Sequence, residues 1–101
     1  MKLSFETARQ VAEHEIHQRI AASAIFSRYQ FTPVILEEEN ERFWIFVSGS
    51  ERLFDDGVTP DAIYVCVDKD DGHLWSREEE ERFYAQQAAA PDSQQPASRV
   101  A

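Results

Sequence analysis

The spacing of apolar residues runs from a helical period to an alternating one and back, which predicts a helix, a sheet and a second helix in that order. Between Leu3 and about Phe26, Ala8, Val11, Ala12, Ile16, Ile20 and Ala24 recur at the three- and four-residue intervals of one helical face, with Arg9, Glu13, Gln18 and Arg19 elsewhere on the wheel. Ser4 stands at the N-cap position, Glu6 meets the positive end of the helix dipole, and Leu3 is placed to staple against Ala8. Tyr29, Phe31 and Pro33 end the helix, by β-propensity and by the restriction that proline puts on the residue before it. A helix apolar along one stripe covers a sheet.

Alternation takes over at Val34. Residues 34–38 read as a first strand, 39–41 as a polar hairpin loop and 42–48 as a second strand, the two pairing antiparallel. An irregular connection, 49–59, carries Leu53, Phe54 and the turn pair Asp56-Gly57, and Pro60 opens a central strand in which Ile63, Val65 and Val67 alternate with Tyr64, Cys66 and Asp68. Asp71-Gly72 is a strong short hairpin signal, because glycine accepts a positive φ, and residues 73–75 then read as a short fourth strand. Side-by-side alternation puts Phe43, Ile45 and Val47 with Ile63, Val65 and Val67 on one face, and Trp44 and Phe46 with Tyr64 and Cys66 on the other. Both faces are apolar and one helix covers only one of them. The second must meet the C-terminal segment, another copy of the chain or a partner.

That C-terminal segment opens on Ser76-Arg77-Glu78-Glu79, a capping box that starts a second helix, with Glu78 four residues before Arg82 in the favourable order. Phe83 and Tyr84 are its large apolar residues. From Pro91 to Ala101 there is almost nothing to bury, so residues 91–101 read as a disordered tail on a single domain of residues 1–90. The fold class expected is α+β: an N-terminal helix on a four-stranded antiparallel sheet, with a C-terminal helix.

Composition narrows the functions open to such a domain. Nineteen acidic residues against ten basic give a net charge of −9, which repels phosphate backbones and makes direct nucleic-acid binding an unsuitable role. It suits either plain solubility or an acidic face that meets a basic partner. The single Cys66 lies in an apolar run and has no partner for a disulfide within the chain, as expected of a reducing, cytoplasmic setting. The first residues give no apolar signal core, and no run approaches the length of a membrane span.

Chemical motifs fail on spacing. His14 and His17 flank Glu15 and Ile16, one residue short of the His-Glu-x-x-His zinc pattern, so both read as solvated. Asp68, Asp70 and Asp71 suggest a calcium loop, but Gly72 comes one place early for an EF-hand, and turn formation explains all three. Glu78 to Glu81 sit where a helix N-terminus favours acids. With no phosphate loop, nucleophile elbow or paired cysteines, and no polar residue on the central strand before Asp68, the expectation is a protein that is no enzyme and takes no cofactor or metal.

The string Gly57-Val58-Thr59-Pro60-Asp61-Ala62-Ile63-Tyr64-Val65-Cys66-Val67-Asp68-Lys69-Asp70-Asp71-Gly72-His73-Leu74, preceded by Arg42-Phe43-Trp44-Ile45-Phe46, resembles the small bacterial YrhB-like domain, also called immunity protein 35. That family has a helix, then an aromatic strand, then a Gly-x-x-Pro turn into a strand ending Val-Asp-Lys before a turn glycine. The likeness spans about residues 4–76, rests on structural rather than chemical motifs, and stops at the acidic segment after Trp75. It implies a cystatin-like fold and, for many members, service as the antidote to a toxin delivered between bacteria. The partner-binding patch expected on this reading has Trp44, Phe46 and Tyr64 at its centre and Glu37, Glu39, Asp55 and Asp56 around it, and the partner is a cognate toxin. A housekeeping interaction or chaperone-like module, monomeric or a homodimer, would use the same patch.

Overall fold

Ser4 starts the first element as its position predicts. Its Oγ accepts the Thr7 amide at 3.1 Å and opens α1 (Phe5–Ala22) in the computed structural model, which describes residues 2–89. Ala8, Ala12 and Ile16 are buried on one stripe, and Val11 and Ile20 pack beside them. The alanines let the helix axis approach the sheet closely. α1 stops short of the expected Phe26, because Ser23 turns extended and its Oγ accepts the Phe26 amide at 2.9 Å, so a side chain that could have stayed helical caps a separate 3-10 turn, Phe26–Arg28.

The sheet has three antiparallel strands in the order β1 (Ile35–Glu39), β2 (Phe43–Gly49), β3 (Ala62–Asp68). Asn40 closes the first hairpin, its Oδ1 accepting the amides of Arg42 at 2.7 Å and Phe43 at 3.0 Å. The connection between β2 and β3, expected to be irregular, contains a short helix α2 (Glu51–Asp55) whose Leu53 is wholly buried and whose Phe54 points outward. Residues 73–75 do not form the expected fourth strand. They make a single bridge, Val67 to Leu74, with the Asp68 amide donating to His73 and the Trp75 amide to Cys66, both at 2.9 Å. Pairing stops there because Ser76 immediately caps α3 (Arg77–Ala89): its Oγ accepts the Glu79 amide at 3.1 Å and Glu79 accepts the Ser76 amide at 2.8 Å. The ion pair on this helix joins Arg77 to Glu81 at 3.5 Å, rather than Glu78 to Arg82.

Register decides which residues face α1. Trp44 lies opposite Val67, Ile45 opposite Cys66 and Phe46 opposite Val65. The alternation within each strand is as expected, but the strands pair one residue out of the expected step, and a one-residue slip exchanges whole faces. Trp44 and Phe46 therefore join Ile63, Val65 and Val67 beneath α1, with Phe5 set 5.8 Å from the Trp44 ring and 5.6 Å from that of Phe46. Phe43, Ile45 and Cys66 form the opposite face. No helix among the described residues is long and apolar enough to cross a membrane. The tail expected at 91–101 lies outside the described residues.

Gly72 sits in the left-handed region at φ +77°, with its amide donating to the Asp68 carbonyl at 3.0 Å. A Cβ there would stand 2.9 Å from Leu3 Cδ2, where Leu3 packs down onto the α1 core. Gly72→Val is thus expected to destabilise the fold by about 1–3 kcal/mol through strain and displacement of Leu3. Thermal melting checks this, and a variant melting with the wild type contradicts it.

Candidate functional site

The sheet face turned away from α1 is half covered. α3 lays Phe83 against Phe43 (ring centroids 5.2 Å) and Trp75 (5.7 Å), Trp75 itself packs on Phe43 at 4.7 Å, and the Arg42 guanidinium spans both Trp75 and Phe83 at 5.4 and 5.7 Å. Ile45 and Cys66 lie under this layer, where burial pushes the Cys66 thiol far above its ordinary pKa and removes it as a nucleophile. Tyr84 reaches over to β1, donating to Glu38 at 3.3 Å.

A clasp fixes the start of α3. His73 meets Asp71 through Nδ1 at 2.7 Å and Glu79 through Nε2 at 3.0 Å, a double contact to carboxylates that only the imidazolium, with two N–H donors, satisfies. The His73 pKa is raised from its ordinary 6.5, first by the bond to Asp71, so its contribution is full below pH 6.5 and is lost as pH rises through the folded value. Asp71 and Glu79 are lowered from 3.8 and 4.5, first by the amides of His73 and Ser76 respectively, so theirs is full above those values and is lost as pH falls through the folded ones. α3 should therefore dock most firmly between about pH 4.5 and 6.5. Near-ultraviolet circular dichroism of Trp75 should show loosening above that window, and His73→Gln should flatten the alkaline limb; identical profiles for both proteins would contradict the clasp.

Asp68, Asp71 and His73 do come within 4.8 Å of one another, but each is committed to the turn. Asp68 accepts the Asp70 amide at 2.7 Å and the Trp75 indole at 2.9 Å, and Asp71 accepts the His73 amide at 2.9 Å. His14 and His17 are exposed on α1, as expected.

Beyond the edge of α3 the face is open. Val47 forms its floor, and Ile35, Phe54 and Tyr64 stand around it with 57%, 72% and 55% of their surfaces exposed, bounding a concavity of about 570 Å³. Its lining includes four carboxylates, Glu37, Glu51, Asp55 and Asp61, and no lysine or arginine. None of the four forms an ion pair among the described residues. A bulge contributes: pairing shifts between Leu36 and Glu38, so Glu37 is the extra residue and stands on the open side together with its neighbour Glu38, which holds Tyr84.

Of the residues expected to bind a partner, Tyr64, Glu37 and Asp55 meet here. Trp44 and Phe46 do not: they are 6% and 0% exposed, and the register places them in the core beneath α1. Glu39 is on the helix side as well, bound to Lys69 Nζ at 2.7 Å, which holds its carboxyl below the usual range while the ammonium sits 4.9 Å over the Trp44 ring. Asp56 is occupied by the Tyr29 hydroxyl at 2.7 Å. Ile35, Val47, Phe54, Glu51 and Asp61 complete the site without having been foreseen. The signal for two of them was present in Glu51-Arg52-Leu53-Phe54-Asp55, where a single helical turn can bury Leu53 or Phe54 but not both. No family model, curated protein or solved structure matches the chain.

Proposed function

We propose that this chain is a non-enzymatic binding protein, most concretely a cytoplasmic immunity protein that neutralises a cognate bacterial toxin by direct contact, with neither nucleic acid nor membrane as a target. One observation carries the binding role: a patch of exposed Ile35, Phe54 and Tyr64 over buried Val47, ringed by four carboxylates with no cation in the lining. An apolar centre with a charged rim is the anatomy of a protein interface, and the sign of the rim selects a basic partner. The toxin-antidote role rests on the resemblance of residues 42–46 and 57–74 to the YrhB-like domain, and the helix lying across an antiparallel sheet accords with its cystatin-like fold. A homodimer joined through this patch would set the two acidic rims against each other, which opposes it. Co-expression with the product of the neighbouring reading frame tests the proposal. Relief of that product's toxicity, with a complex of the two chains on gel filtration, is the expected result; a toxicity that the chain fails to relieve contradicts it.

A further inference from the structure

We infer that the concavity receives an arginine side chain of the partner, an inference that rests on the binding role proposed above and gives its occupant a chemistry. Two features of the lining must be met together: exposed aromatic and aliphatic surface from Phe54, Tyr64 and Ile35, and the unpaired carboxylates. A neutral apolar side chain satisfies the first and strips water from the second without replacing it, which is costly. A hard cation such as calcium needs a shell of oxygen ligands, and the floor offers Val47 instead, with Ile35 beside it. Lysine supplies charge, but its compact, strongly hydrated ammonium gains little from an aromatic face. Arginine meets both demands: its methylenes lie along the apolar floor, its weakly hydrated guanidinium stacks on a ring, and its in-plane N–H donors reach carboxylates at the rim. The chain already seats one guanidinium over aromatic rings, Arg42 over Trp75 and Phe83 on the covered half of the same face.

The test uses blocked tripeptides, acetyl-Gly-Arg-Gly-amide and its lysine counterpart, titrated into the isotope-labelled full chain and followed through backbone amide shifts. The arginine peptide should move Val47, Gly49, Phe54 and Tyr64 and bind about threefold or more tighter than the lysine peptide. The triple substitution Glu37→Gln, Asp55→Asn, Asp61→Asn should weaken it about fivefold or more, while Glu6→Gln, Glu41→Gln, Glu78→Gln, with the same net charge, should leave it within about twofold. Equal weakening by the two triple variants means a diffuse field and overturns the inference, as do shifts centred elsewhere or equal affinity for the two peptides. Should the co-expressed partner bind at this face while the arginine peptide does not, the inference fails and the proposed function stands. Peptide binding without a toxin partner gives the reverse.

Discussion

Phe46→Ala is expected to cost about 3–5 kcal/mol of folding free energy, enough to unfold much of a small domain at 25 °C. The ring is fully buried, opposite Val65 in the sheet, tilted against Phe5 at 5.6 Å between centroids and beneath the alanine stripe of α1, so its removal leaves a cavity in the core. Tyr64→Ala is the companion measurement. Tyr64 lies on the other face with more than half its surface exposed, so its removal should cost no more than about 1 kcal/mol. Urea unfolding of the two variants separates the observed register from the slipped one, in which Phe46 and Tyr64 share a face and lose similar amounts. Two similar losses would contradict the observed register.

The second large effect concerns association. Phe54 and Tyr64 are the exposed aromatics of the open concavity, and truncating either to alanine should cost about 2 kcal/mol or more of partner binding while the fold is kept. Reversing Asp55 and Asp61 to lysine should act on the association rate, with the greatest slowing at low ionic strength, because rim charges guide the encounter and are screened by salt. Binding kinetics at two salt concentrations check both halves. Affinity untouched by the aromatic truncations, or an association rate indifferent to salt, would contradict this division of labour.

Much of the architecture could be read from periodicity alone. The apolar stripe of α1, the Ser4 cap, the alternation within β2 and β3, the Gly72 turn and the Ser76–Glu79 capping box each follow from spacing within one segment, and each is found. What escaped depends on how segments meet. Alternation in Phe43 to Val47 and in Ile63 to Val67 is compatible with two registers, and the choice between them rests on contacts such as the Lys69 amide donating to the Arg42 carbonyl at 3.0 Å. Because of that single step, Trp44 and Phe46 moved from the expected patch into the core, while Tyr64 stayed on the open side. Glu39 and Asp56 were legible as acids but not as partners of Lys69 and Tyr29, which approach them from distant parts of the chain. The capping box at Ser76 was legible, but spacing within a segment does not show that this cap, following at once, leaves residues 73–75 room for a bridge rather than a strand.

Hydrogen exchange of the chain, alone and in complex with the partner proposed for it, tests most directly whether the half of the sheet left open by α3 is the binding face. New protection should be confined to β1, to residues 47–50, to α2 and to β3 about Tyr64, around Ile35, Val47 and Phe54, with α1 unchanged. Protection gathered on α1 or on the outer surface of α3, with the concavity exchanging as it does in the free chain, would contradict it.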